Sequence, residues 1–247
     1  MTLAIAKRPK SQLKASPAEA VFLLESGARM DQRTFHELYK QTPDGFKAEL
    51  IEGTVYVASP VSGWHGAPHA TLVGWMVIYM DATPGVRVYN DATNILNADS
   101  EPQPDAALLL DEDVGGRTRL DDKGFIHGSP ELVAEVAHSS ASIDLGKKME
   151  VYEREGCSEY LVVLVREKRL RWFIRRDYGF EEQQPDAYGL LKSEFYPGLW
   201  LSTESFFDSE IRPLMKVLRK GLASPEHAAF VAELKARRTK HRKRKGK

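Results

Sequence analysis

Along the chain the spacing of apolar positions changes several times, and each change marks an element. Ser16, Pro17 and Glu19 stand at N-cap, first-turn and capping-box spacing, so a short helix follows Ser16 and stops near Gly27. A second helix runs from about Asp31 to Tyr39 and ends before the turn chemistry of Pro43-Asp44-Gly45. Two β-type runs, 47–51 and 54–58, flank Glu52-Gly53, a linker that reads as a hairpin. Residues 69–80 are too long and too apolar for a strand and predict a buried helix. Strand signals then dominate at 86–90, 92–96 and 106–110; a loop rich in Gly and Asp extends through Gly128, and 132–137 reads as a central strand. A helix over 144–155 is stopped by Gly156, and strands at 160–165 and 170–175 meet at the charged turn Arg166-Glu167-Lys168. The Gly-Leu-Leu and Gly-Leu-Trp-Leu pieces within 189–201 predict a closing sheet edge, and helices at 210–220 and 225–237 run into a basic tail. With no internal repeat, this order predicts an α/β or α+β domain.

Composition refines the picture. The 247 residues, 42% hydrophobic and 28% charged, suffice for one large domain or two small ones. A formal charge of zero conceals a segregation: residues 235–247 hold nine Lys or Arg and no acid, leaving 26 basic against 35 acidic groups in the body. A single cysteine, Cys157, excludes an internal disulfide and a Cys-rich metal site. No apolar run approaches the roughly 20 residues that span a bilayer, and residues 1–14 alternate apolar and basic positions without a cleavage signal. A soluble, cytoplasmic protein is the expectation. The tail 235–247 suits a salt-sensitive nucleic-acid contact, or else a disordered solubilising end or a strap against the acidic body.

Chemistry enters with the carboxylates. Glu135 sits inside Leu132-Val133-Ala134-Glu135-Val136-Ala137, where burial costs several kcal/mol unless the acid is paired, metal-bound or protonated. Asp105 opens the apolar run 106–110, at the mouth of a strand. Two acids at the ends of neighbouring strands suit a hard cation such as Mg²⁺, against the plainer readings of a turn cap for Asp105 and a wet sheet face or an arginine partner for Glu135. On the following helix Lys148, not Lys147, shares the face of Leu145, Met149 and Tyr152, so it either snorkels outward or reaches a buried charge. Asp144 at i−4 could pair with it as a weak surface pair. Glu49, between apolar residues of the first hairpin strand, is an accessory acid.

Other signals are weaker. His65 and His69 have the i,i+4 spacing of a helical zinc pair, but Pro68 lies between them and no glutamate follows His65, so a helix start is expected instead. Arg169, Arg171 and Arg175 share a strand face that reads as solvated, and the four tryptophans read as core or interface residues. Neither a P-loop nor a G-x-S-x-G elbow is present, so Ser139 and Ser140 are expected to shape a turn rather than attack a substrate.

Taken in order, Glu49-Leu50-Ile51-Glu52-Gly53, Ser59-Pro60, His69, Gln103-Pro104-Asp105, the run from Pro130 to Val136, and Asp144, Lys148, Tyr152, Gly156 and Glu159-Tyr160 resemble the pattern of the Uma2 family. These are restriction-endonuclease-like proteins of the PD-(D/E)XK nuclease superfamily. The resemblance covers about residues 30–205, including the ending Phe195-Tyr196-Pro197-Gly198-Leu199-Trp200-Leu201. It implies a restriction-endonuclease-like mixed β-sheet core flanked by helices, with a leader at 1–29 and C-terminal helices and basic tail at 206–247. It also implies Asp105 and Glu135 as ligands of Mg²⁺ or Mn²⁺, Lys148 as the active-site lysine and Glu49 as a helper acid. In the wider superfamily the lysine lies two residues after the second acid; here that place is Ala137, so Lys148 of the next helix must serve. The reaction implied is metal-assisted hydrolysis of DNA by a homodimer. Two other readings compete with it: a non-catalytic nucleic-acid-binding or regulatory protein on the same fold, and a metal-dependent hydrolase of another substrate.

Overall fold

A computed structural model describes residues 14–208 and 210–245; the leader before Lys14 and the last two residues of the basic tail lie outside the described residues. In chain order, α1 (Pro17–Leu23) and α2 (Gln32–Tyr39) precede the hairpin of β1 (Ala48–Ile51) and β2 (Thr54–Val57), the long α3 (Gly63–Ala82), and β3 (Val86–Asn90), β4 (Asn94–Ile95) and β5 (Ala106–Leu110). A 3-10 turn (Glu112–Val114), β6 (Arg119–Leu120) and β7 (Ile126–His127) lead to β8 (Leu132–Ala137), α4 (Ala141–Asp144), α5 (Lys147–Arg154) and β9 (Glu159–Leu164). Then follow β10 (Arg169–Arg176), β11 (Gly179–Glu182), β12 (Leu190–Lys192), β13 (Trp200–Ser202), α6 (Thr203–Phe206), α7 (Ile211–Leu222) and α8 (Pro225–Lys245).

Six strands form the central sheet in the order β11-β10-β9-β8-β5-β3. All neighbours are antiparallel except β8 and β9, whose parallel pairing requires the crossover that carries α4 and α5. Strand alternation divides β8 between two cores. Leu132, Ala134 and Val136 join Trp75 and Tyr79 of α3, Trp172 of β10 and Leu214 and Leu218 of α7 on one face. Val133 and Ala137 join Tyr152 of α5, Tyr160 and Val162 on the other. Glu135 therefore faces α5.

Local chemistry explains the elements that the sequence predicts correctly. Ser16 and Glu19 complete a reciprocal capping box on α1, and the Asp31 carboxylate accepts from the Thr34 amide at 2.7 Å to cap α2. Glu52 and Gly53 both take positive φ, 50° and 70°, as a two-residue hairpin turn requires. In other places the structure departs from the pattern. The buried helix starts at Gly63, six residues before the expected 69, and tolerates Pro68 because Leu72, Trp75, Met76 and Tyr79 are fully buried beyond it. The run 92–96 shrinks to the two residues of β4, which pair with β7 in a separate three-stranded sheet with β6; strands this short show no alternation to read. The pieces within 189–201 form their own hairpin, β12 with β13, under the α3 face rather than a sheet edge; Leu191, Leu199 and Leu201 are drawn into the apolar core there. The real edges are β3 and the polar β11.

The helix expected over 144–155 is two helices. Gly146 breaks it with ψ −114°, and a Cβ there would lie 2.7 Å from the Ser142 carbonyl oxygen, so only glycine makes this close bend. The Tyr160 hydroxyl fastens the bend by donating to the Asp144 carbonyl at 2.9 Å. The helical face that Lys148 shares with Tyr152 survives the break, since both lie within α5.

Candidate active site

Register brings the two central acids together. In the antiparallel β5–β8 pair Ala106 lies opposite Ala134, and one step further places Asp105 opposite Glu135. Asp105 Oδ2 accepts from the Val136 amide at 2.7 Å, while the Asp105 amide points at Glu135 Oε2 over a long 3.4 Å. Glu135 Oε1 is buried and accepts no hydrogen bond of good geometry; it meets the Lys148 ammonium at 2.9 Å. The same ammonium lies 2.9 Å from Glu49 Oε1 and 3.8 Å from Asp144 Oδ1. Glu49 is held in turn by the Gln103 amide at 2.5 Å, which ties β1 to the segment leading into Asp105. All four residues predicted from sequence, Glu49, Asp105, Glu135 and Lys148, line one cavity of about 430 Å³.

The electrostatics follow from this crowding. Burial, reinforced by Asp144, Asp105 and Glu49, pushes the Glu135 carboxyl well above its ordinary value against the opposing pull of Lys148. Burial alone would lower Lys148, but Glu135, Glu49 and Asp144 outweigh it and hold the amine charged. Burial also raises Asp144. It works against ionisation of Asp105 as well, yet hydrogen bonds from His65 and the Val136 amide prevail and keep that acid below the usual carboxylate range. Four carboxylates thus face one lysine around a cavity, and a divalent cation bound there would favour the ionised forms of Glu135 and Asp144 that burial opposes. This oxygen-rich donor set, in which Glu135 Oε1 has an ion pair to Lys148 and no hydrogen bond, fits a hard metal ion.

Sequence reading undervalued several neighbours. Asp144, expected in a weak surface pair, is 4% exposed and also accepts from Ser140 Oγ at 2.5 Å, so it belongs to the buried cluster. Ser140 shapes the turn into α4, as expected. Tyr152, one turn after Lys148, is fully buried with its hydroxyl unpartnered. His65 and His69 lie on the first turns of α3 and both face Asp105, where the helix-start reading had left them without a role. His138 lines the cavity too, and nothing in its sequence surroundings singled it out. Of the tryptophans, Trp75 and Trp172 pack edge to face in the core, while Trp64 stands 74% exposed beside His65.

Two further buried acids show what a structural carboxylate looks like here. Glu131 accepts from the Leu110 and Arg117 amides. Glu159 accepts from Trp172 Nε1, Ser193 Oγ and the Glu194 and Phe195 amides. Both are satisfied by donors that fasten loops to strands. Glu135 differs: its partners are the Lys148 ammonium and, at a long 3.4 Å, the Asp105 amide, beside an open cavity.

The basic features lie elsewhere. Arg237 donates to the Val114 carbonyl, and Arg238 clamps Asp111 and Asp113, so the first part of the tail is a helix strapped to the acidic turn after β5. Asp105 stands at the other end of β5. Arg169 and Arg171 pair with Glu182 of β11, the solvated face expected for them. Among the described residues no helix is long and apolar enough to cross a membrane.

The family model for Uma2, described as "Putative restriction endonuclease", matches residues 33–204. Among solved structures, the chain is similar to one from Anabaena variabilis ATCC 29413 titled as a putative nuclease belonging to DUF820. That match has a TM-score of 0.55 at 16% identity and covers 70% of this chain and 96% of the other, a likeness of fold. The mixed sheet flanked by helices is thus of the restriction-endonuclease-like kind. No curated protein matches the chain.

Proposed function

The chain belongs to the Uma2 family, and from that premise we propose that it is a metal-dependent endonuclease that hydrolyses phosphodiester bonds of DNA. Asp105 and Glu135 would hold Mg²⁺ or Mn²⁺, which, when bound, polarises a phosphoryl oxygen and acidifies a bound water. Lys148, kept charged by its acidic neighbours, orients the attacking water and offsets charge that develops on the phosphoryl group. Glu49 holds the same Lys148 amine, 2.9 Å away. Ser62, His65 and His69 bring the amino end of α3 to the wall of the same cavity. A homodimer would present two such sites, one for each strand.

The observation that carries this reading is the Lys148 ammonium, 2.9 Å from both Glu135 and Glu49, beside an Asp105 that stands opposite Glu135 across the sheet. A supercoiled plasmid incubated with Mg²⁺ or Mn²⁺ tests it. Nicking is expected in the full chain and after deletion of residues 240–247, and is lost in Asp105→Ala and in Glu135→Gln. A protein that binds DNA but cuts it with no divalent cation overturns the reading.

A further inference from the structure

In the chemistry above His65 serves only as a hydrogen-bond partner of Asp105 and His69 has no role, yet the two imidazoles stand together beside the cavity. They stand one turn apart on the same side of α3, with ring centroids 5.5 Å apart. His65 Nε2 lies 3.3 Å from Asp105 Oδ1, and His69 Nε2 lies 2.8 Å from the Asp105 carbonyl oxygen. One ligand atom from each of His65, His69 and Asp105 lies within 4.8 Å of the other two, the one such group among the described residues. All three line the cavity and are partly exposed to it. A purely supporting role for His65 would satisfy both ring nitrogens, but its Nδ1 is buried without a partner.

We propose that His65 and His69, with Asp105 as a shared carboxylate, form a second metal site that takes a cation of the Zn²⁺ class, such as Zn²⁺ or Co²⁺. It is distinct from the all-oxygen site of Asp105 and Glu135, and rests on the nuclease reading only in treating Asp105 as common to both. The donor set decides the class: two imidazoles and one carboxylate with solvent-facing positions suit Zn²⁺ and Co²⁺, whereas Mg²⁺ takes oxygen ligands. Ligands about 2.0–2.2 Å from a metal stand about 3–4 Å apart, so closing on a cation asks for movements of about an ångström. His65 and His69 start a long helix and Asp105 starts a core strand, so the frame is already rigid. Pro68 lies between the histidines without turning either from this side.

The test uses the full chain, stripped of metal, and reads binding rather than cleavage. Co²⁺ titration followed by its visible ligand-field absorption is expected to show a saturable site that Zn²⁺ displaces. His65→Asn and His69→Asn, folded by circular dichroism, should each weaken it by at least about 10–100-fold, the loss that even outer partners of a metal ligand produce. Mg²⁺ binding measured by calorimetry should persist in both, unchanged in His69→Asn, and Glu135→Gln should keep the Co²⁺ band while losing Mg²⁺. If both histidine variants bind Co²⁺ like the wild type, or if the wild type shows no saturable Co²⁺ site, the proposal is overturned. A Co²⁺ band that depends on the histidines, in a protein that never cuts DNA, would instead sink the nuclease reading and leave this site standing.

Discussion

Replacing Lys148 with methionine keeps the apolar stem of the side chain and deletes the charge that three carboxylates share. At an effective dielectric of about 20, each 2.9 Å contact to Glu135 and Glu49 is worth about 6 kcal/mol of attraction, most of it offset by taking the charges out of water. What remains after truncation is an uncompensated buried carboxylate, so Lys148→Met should lose about 3–5 kcal/mol. The second half of the experiment isolates the cause. Adding Glu135→Gln to Lys148→Met removes the stranded charge, and the double variant should be more stable than the sum of the single losses by about 1–3 kcal/mol. Urea denaturation of the four proteins in metal-free buffer gives this coupling directly. Mn²⁺ at about 100 times its dissociation constant should add about 2.7 kcal/mol of stability to the wild type, and no more than a fraction of this to proteins carrying Glu135→Gln. Strict additivity of the two substitutions would refute the idea that the lysine is there to hold Glu135.

Glu159 offers a pH test away from the site. Burial pushes it up to about 7 despite its donors, so the folded protein binds that proton more tightly than the unfolded chain, whose value is near 4.5. Its contribution is fully present below the unfolded value and is lost as pH rises through about 7, up to ~3 kcal/mol. Denaturation midpoints of wild type and Glu159→Gln should converge or cross between acid and neutral pH; a constant difference would contradict the shift. Arg238→Ala should release the strap between α8 and the acidic turn, since charge-assisted hydrogen bonds of this kind contribute about 1.5–3 kcal/mol. Limited trypsin digestion should then cut within 235–245 about tenfold faster or more, and unchanged protection would mean that α8 is held by something else.

How much of this was legible beforehand depended on the range of the forces involved. The α1 capping box and the Glu52-Gly53 turn are decided within four residues, and both formed as their local chemistry requires. Glu135 was legible because a charge inside Leu-Val-Ala-Glu-Val-Ala is an anomaly whatever surrounds it, and Lys148 because its face on α5 carries Tyr152. The features that escaped depend on chain segments far apart in sequence. His65 and His69 acquire meaning only because β5 begins beneath α3, and Pro68 made their spacing look accidental. Nothing local distinguishes the structural Glu159 from a functional acid, since its four donors come from β10 and from the loop before β13. Gly146 falls inside the helix expected over 144–155, whereas the close approach of the Ser142 carbonyl makes it the joint that separates Asp144 from Lys148. The hairpin of β12 and β13 shows the same limit: its apolar pieces predicted a closing sheet edge, but not that they would pair with each other and cover the core.

Diffraction from a crystal grown with Mn²⁺, collected at the manganese absorption edge, bears most directly on why two acids are tolerated in this sheet. An anomalous peak within coordination distance of carboxylate oxygens of both Asp105 and Glu135, with the Lys148 amine alongside, is the expected result. No peak at saturating Mn²⁺, or density that leaves Glu135 untouched and still paired to Lys148, would contradict it.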